Sequence, residues 1–418
     1  MTTMTMLKFT TTTAFLALTG GMALADAHTD CMVEAGRINI LSNDFPALHA
    51  VVEGARECVG AGATFENNAT TEHRDIQVAA LTANPAEYTS AVVANSSIVP
   101  LMNEGLIRPL DDLIAEYAPD LPDLNKVVVG GKTMAIAFMA NAQHLYVRDD
   151  ILQEVGMEAP TTYEQVLEVS QAIRDAGIME YPFASNTMTG WNLGEEFVNM
   201  YLGMGGEFFE PGSAEVAINN ETGIATLEMM KALAGFTNPD FLTFDSNATG
   251  ALWEGGEVAI AYMWGSRGGP ILDDEGSTEE IVSNTTLLAA PTVGGGAIPA
   301  STLWWDGFTI AANISDEDAA ATFQALVHGM RDEVITQNNE DAVWLSSAYT
   351  PGPASAGVAA TAQAGAKPYP MIPYMGLLHT ALGDELRDFL QGNESAEQAL
   401  ADVEAAYTTA ARDQGFLK

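Results

Sequence analysis

Arg37 to Leu41 alternates polar and apolar residues and predicts a strand. The residues that follow place Leu48, Val51, Val52 and Ala55 on one face of a helix ending at Cys58. Ala63 to Glu66 predicts a second strand, and Arg74 to Ala83 a helix. Ala91-Val92-Val93-Ala94 is an unbroken apolar run of the kind found in strands buried on both faces. Asn95-Ser96-Ser97 then supplies capping residues for a short helix toward Gly105, and Met134 to Met139 predicts another buried strand. Thr161-Thr162-Tyr163-Glu164 has the spacing of a T-x-x-E capping box. It opens a helix with Val166, Leu167 and Ile173 inward and Gly177 as its stop. Further helices are expected at Glu195 to Leu202, Ile224 to Ala234 and Glu317 to Met330, and strands at Val258 to Met263, Thr286 to Ala290 and Phe308 to Ala312. The tail from Asp384 to Ala411 reads as helix broken near Gly392-Asn393. Strand and helix alternate throughout, which predicts an α/β protein with mainly parallel sheets.

The first residues point to export. Lys8 precedes the short apolar segment Ala14-Phe15-Leu16-Ala17-Leu18, which ends in Ala23-Leu24-Ala25, the small-x-small pattern of a signal cleavage site. The segment is too short for a permanent span, and no later stretch reaches 18 unbroken apolar residues. Thr29-Asp30 before Cys31 lacks the small apolar residues of a lipidated cysteine, so a soluble exported product is expected. Cys31 and Cys58 fit that compartment. A strand of roughly seven residues rises about 23 Å, and a helix of roughly fourteen residues returns about 21 Å. The two sulfurs thus come back level, and a Cys31–Cys58 disulfide is expected, with two free thiols as the alternative.

Composition narrows the function. The chain has 418 residues, more than one core of ordinary size, and a 47% apolar share that excludes disorder. Acids outnumber bases 56 to 16, a formal charge of −40. Such a surface repels phosphate backbones and anionic headgroups, so no nucleic-acid or membrane-surface partner is expected. Gly130-Gly131-Lys132-Thr133 imitates the end of a phosphate loop, but the loop's first glycine would fall on Lys126. A turn before the Met134 strand explains it better. No HExxH, GxSxG or dinucleotide fingerprint occurs, and the six His are scattered. No metal site, cofactor or catalytic residue is therefore expected. Asp273-Asp274-Glu275 and Glu279-Glu280 read as solvated acids, because the calcium-loop pattern is missing.

Polar and aromatic residues instead collect at expected strand ends: Asn43-Asp44-Phe45, Glu72, Ser96-Ser97, Gly190-Trp191-Asn192, Trp264-Gly265-Ser266-Arg267 and Trp304-Trp305-Asp306. In open α/β sheets ligands bind beyond the carboxyl ends of strands. Sugar hydroxyls are met by Asp, Asn and Arg, and the apolar faces of pyranose rings by aromatic surfaces. A Trp taken singly also serves as core.

The order of several motifs resembles the maltose-type periplasmic sugar-binding proteins of ABC importers, extracellular solute-binding family 1. Glu87 to Val92 and Leu101 to Leu110 resemble that family's third strand and following G-L-x-x-P-L element. Gly131 to Ile136 and Leu145 to Asp149 resemble its hinge passage. Pro160 to Glu164 is similar to P-x-TWEE, and Trp253 to Ile260 to F-x-x-GKAAM. Phe138 stands where the family usually has Pro, and Trp304-Trp305-Asp306 is bulkier than its glycine-rich counterpart.

The resemblance implies a two-lobed type II periplasmic-binding-protein fold with discontinuous lobes. After a signal peptide at 1–25, residues 26–140 and 303–350 would form the N-terminal lobe, and 141–302 and 351–418 the C-terminal lobe. Hinge crossings would lie near Asn141, Leu303 and Pro351. It implies a monomeric, non-enzymatic importer component that closes its lobes on a sugar or small oligosaccharide and delivers it to the membrane permease. The implied ligand set is Asp44, Phe45, Glu72, Ser96 and Ser97 in one lobe, and Asn141, Trp191, Asn192, Trp264, Gly265 and Arg267 in the other, with Trp305 and Asp306 beside a hinge strand. Trp264 and Trp305 are the expected stacking platforms, and Asp44, Asp306 and Arg267 the hydroxyl partners. A secreted glycoside hydrolase and a binder of an acidic sugar or another solute remain the alternatives.

Overall fold

The computed structural model describes residues 31–273 and 275–418. The leader expected to end at Ala25, Thr29 and Asp30 beside Cys31, and Asp274 of the acidic loop lie outside the described residues. Twelve strands occur among the described residues: β1 (Arg37–Ser42), β2 (Thr64–Ala69), β3 (Ser90–Ala94), β4 (Lys126–Val129), β5 (Lys132–Asn141), β6 (Gln143–Arg148), β7 (Phe183–Ser185), β8 (Ile260–Trp264), β9 (Thr285–Leu288), β10 (Thr302–Phe308), β11 (Val343–Trp344) and β12 (Lys367–Pro368). The chain divides into two compact units and passes between them after Met139, Trp304, Asn338, Val343 and Tyr349.

The first unit holds the described residues up to Met139, then Trp305–Asn338 and Trp344–Tyr349. Its sheet runs β11-β5-β10-β3-β1-β2, with β4 on β5. Every residue of β3 is buried, as its apolar run requires, whereas β2 at the edge alternates exposed and half-buried positions. The helices Pro46–Arg56 and Asp316–Gly329 pack on each other. The first buries Leu48, Val51, Val52 and Ala55, the stripe expected from sequence. Cys31 and Cys58 form the expected disulfide, with Cα atoms 5.0 Å apart. Backbone bonds flank it: Val33 N–H donates to the Cys58 carbonyl and Gly60 N–H to the Val33 carbonyl, both at 2.8 Å. In the chain-entropy model such a closure contributes about 3–4 kcal/mol.

The second unit holds Ala140–Trp304, Asn339–Val343 and Thr350–Lys418. Its four-stranded sheet runs β7-β8-β6-β9, and β12 pairs with Thr302 and Leu303 at the start of β10. Tyr146, Trp253, Met263 and Ile271 anchor a core on this sheet. The helix Met375–Glu385 packs against both Trp191–Gly203 and Ala396–Asp413. Among the described residues no helix is long and apolar enough to cross a membrane.

β1 runs parallel to both β2 and β3, β7 runs parallel to β8, and the short β12 runs parallel to β10. β6 is antiparallel to both neighbours, and β10 to β3. Neither β6 nor β10 arrives through a strand-helix-strand crossover in its own sheet, which is what parallel neighbours need.

Three local expectations are corrected. The strand expected at Phe308 to Ala312 lies earlier, as β10, because Asp306, Gly307 and Phe308 find ladder partners in Ala94, Val93 and Val92. The helix expected from Glu195 begins at Trp191, where Gly190 takes φ 97°, a left-handed turn that glycine permits. The capping residue is Thr162 rather than Thr161. Its side chain accepts from the Gln165 N–H at 3.1 Å, while Glu164 Oε1 is drawn away to the Gly294 N–H at 2.8 Å.

Candidate functional site

In the second unit, the end of β8 carries an aromatic cluster. Trp264, the last residue of β8, is half-buried, and its ring lies 6.2 Å from that of Trp191 with planes 27° apart. Trp304 packs edge-on against both, at 5.7 Å from Trp264 and 5.5 Å from Trp191. Tyr369 lies 4.4 Å from Trp304, and His379 stacks on Trp191 at 4.8 Å. Trp191 and Trp264 keep part of their surface open, while Trp304, Tyr369 and His379 are buried behind them. Offset and edge contacts of this kind hold aromatic rings in fixed orientations.

The turn after β8 is fixed by Asn141. Its Oδ1 accepts from Ala142 N–H at 3.0 Å and Ser266 N–H at 3.2 Å, and its Nδ2 donates to Ser266 Oγ at 3.3 Å. Asn141, expected to meet ligand, thus spends its amide on holding the turn. Gly265 is tightly enclosed there, since a Cβ would stand 2.0 Å from Val358 Cγ2. Arg267, half-buried, acts electrostatically on Glu254. Burial and the charge of Asp273 push the Glu254 carboxyl up, and Arg267 draws it down. Asn192 is half-buried beside Trp191 at the start of their helix.

The first unit carries a second group. Asp306 lies opposite Ala94, and the Trp305 N–H donates to Asn95 Oδ1 at 3.0 Å. Both Trp305 and Asp306 are half-buried. Burial pushes the Asp306 carboxyl up to about 6, against the pull of the Arg74 guanidinium. Burial, helped by Arg74, drives His73 down to about 3, so that imidazole stays neutral. Among the described residues Ser96 Oγ and Gln77 Oε1 are buried without a hydrogen-bond partner, the condition of groups that await water or ligand. Ser97 is committed to its own loop, its Oγ accepting from the Ala94 N–H at 3.0 Å. Phe45 is buried at the start of the helix Pro46–Arg56, Asp44 pairs with His49 at 2.7 Å, and Glu72 is exposed before the helix His73–Thr82.

A family model described as bacterial extracellular solute-binding protein matches residues 43–327, more than half of the chain. The chain belongs to that family. A probable ABC transporter-binding protein of Deinococcus radiodurans is 26% identical to this solute-binding protein over 195 residues, 44% of each chain. The solute-binding protein therefore aligns with less than half the length of that relative. An ABC transporter solute-binding protein of Agrobacterium radiobacter, solved with ribitol, matches its fold with a TM-score of 0.78 at 18% identity, over 91% of this chain and 100% of the other. A maltose-bound protein of T. maritima gives 0.76 at 17%, over 90% and 100%. A solute-binding protein of Agrobacterium vitis with bound D-mannitol gives 0.76 at 17%, over 91% and 99%. At these identities the likeness is one of fold, and the fold is the two-lobed α/β type the motif order implied.

Among the expected residues of the solute-binding protein, the structure brings Trp191 and Trp264 into one cluster and Trp305 and Asp306 into another. Sequence reasoning named Trp304 among the strand-end residues without giving it a role, and missed Tyr369, His379 and Glu195 behind the first cluster and Arg74, Gln77 and Asn95 in the second. One signal was available: neighbours on a strand face opposite ways, so Trp304 and Trp305 could not share a role.

Proposed function

We propose that this protein is the exported substrate-binding component of an ABC importer, and that it captures a neutral polyhydroxylated solute, a sugar, small oligosaccharide or polyol. The observation that carries the reading is the Trp191–Trp264–Trp304 cluster at the carboxyl end of β8, in a chain of this family. Two partly open tryptophans offer apolar surface to the C–H faces of a sugar or to a polyol chain. In the first unit Asp306, Arg74, Ser96 and Gln77 offer acceptors and donors for hydroxyls. Arg267 shares its charge with Glu254, which favours a neutral ligand over an anionic one. The relatives solved with ribitol, D-mannitol and maltose support the same class.

The proposal includes the finer features: removal of the leader near Ala25, a periplasmic and monomeric product, the two units acting as lobes that close on ligand, delivery to permease subunits, and no catalysis. A thermal-shift screen across sugars, polyols and sugar acids tests it, because a ligand that binds only the folded state raises the midpoint. Stabilisation by at least one neutral sugar or polyol, recovered intact afterwards, is the expected outcome. Stabilisation by sugar acids alone, or release of reducing sugar from glycosides, would replace this reading with one of its alternatives.

A further inference from the structure

Behind the tryptophan face of the second unit runs a buried polar chain that the binding reading does not use. Glu195 is fully buried one helical turn after Trp191. Its Oε1 accepts from the Thr302 hydroxyl at 2.6 Å and from the Trp304 indole N–H at 3.0 Å. The same indole N–H lies 2.7 Å from Thr302 Oγ1, which also stands 2.7 Å from Asn199 Oδ1. Asn199 Nδ2 donates in turn to Gln143 Oε1 at 2.8 Å. His379 closes the other end. Its Nε2 is 2.8 Å from the Trp191 carbonyl oxygen, which only accepts, so Nε2 carries a proton. Its Nδ1 is 2.9 Å from the Tyr369 hydroxyl and 4.0 Å from Glu195 Oε2. Gly194 makes the close approach possible, since a Cβ there would stand 2.7 Å from both His379 Cδ2 and the His379 carbonyl oxygen.

We propose that Glu195 and His379 are positioning residues that hold Trp304 and Trp191 in the ligand-ready arrangement before ligand arrives. The proposal rests on the reading of the tryptophan face as the ligand platform. A fully buried carboxylate is a poor way to fill space, because apolar side chains of the same volume fold as well or better. What it supplies is orientation. Trp304 cannot swing away without leaving a buried N–H unsatisfied, and Trp191 is held through both its ring and its carbonyl. A platform ordered in advance spares the ligand that ordering cost.

The test uses the full chain with ribitol, D-mannitol and maltose as probes. Glu195→Ala and His379→Phe are expected to raise the Kd of a bound probe at least fivefold. They should also weaken the near-ultraviolet circular dichroism of the ligand-free tryptophans. Glu195→Gln, which keeps one acceptor for the indole, should recover part of the loss. His379→Phe keeps a stacking ring while removing both nitrogen contacts, so it serves if Glu195→Ala does not fold. Binding within twofold of the parent in these variants, while Trp264→Ala weakens it at least fivefold, would overturn the positioning role and leave the platform standing. If Trp264→Ala itself leaves probe binding unchanged, the platform reading fails and this proposal fails with it.

Discussion

Burial pushes the Asp306 carboxyl up to about 6, whereas in the unfolded chain it returns to its ordinary 3.8. Between those values the folded protein holds the proton that the unfolded chain has released, so stability falls as pH rises through the window. Above pH 6 the full cost of a buried charge remains. Asp306→Asn is therefore expected to raise the urea midpoint at neutral pH, with the gain shrinking to nothing near pH 4. The same variant should bind ligand more weakly, because a carboxylate accepts hydroxyls better than an amide does. A midpoint gain that persists unchanged at pH 4 would show that Asp306 is not titrating. The tryptophans divide along similar lines. Trp264 and Trp305 are half-buried, so truncation to Ala should weaken binding by about 5- to 150-fold, the loss of about 1–3 kcal/mol of stacking. Trp304 is buried with its indole bonded, and Trp304→Ala should cost about 3–5 kcal/mol of stability. Calorimetry and urea melts on the same three variants separate the two behaviours.

At the scale of elements, the turn after β8 is clamped between Asn141 and the helix Ala356–Gln363, which carries Val358. Gly265→Ala would drive its methyl into Val358 Cγ2, a β-branched side chain with little freedom to move. The expected cost is about 1–3 kcal/mol, and Val358→Ala in the same chain should recover part of it. No recovery in the double variant would place the strain elsewhere, for instance against Asn141 Oδ1, 3.2 Å from the same Cβ. Such contacts are invisible in sequence, because Gly265 and Val358 are joined only by the folded chain. Elements whose pattern is local were legible: the stripe of Pro46–Arg56, the all-apolar β3 and the edge of Asp316–Gly329 near its expected start. β10 was not. Asp306 and Gly307 are poor strand formers, and the strand exists because Thr302–Leu303 pair with β12 while Asp306–Phe308 pair with β3. The same displacement hid the site. Trp304 is expected from sequence only at a strand end with no separate role, yet inside β10 it turns to the Trp191 and Trp264 rings.

For the molecule as a whole, charge is the dominant unbalanced term. With 56 acids against 16 bases, most carboxylates have no cation to pair with, and the formal charge is −40. Folding gathers these charges onto a compact surface, while unfolding spreads them, so their mutual repulsion favours the unfolded chain. Added salt shortens the reach of that repulsion from about 10 Å at 0.1 M to about 3 Å at 1 M. The melting temperature at pH 7.5 is therefore expected to climb steeply as sodium chloride is added to a low-salt buffer, then to flatten once the screening length falls below the spacing between neighbouring acids. Potassium chloride at the same ionic strength should trace the same curve, because screening depends on charge and not on ion identity. Acidification supplies an independent check. Lowering the pH from 7.5 toward 5 neutralises part of the excess, and should raise the midpoint at low salt by more than it does at high salt. A midpoint indifferent to salt at pH 7.5, or a pH effect equal at both ionic strengths, would mean that self-repulsion is not what limits the stability of this chain.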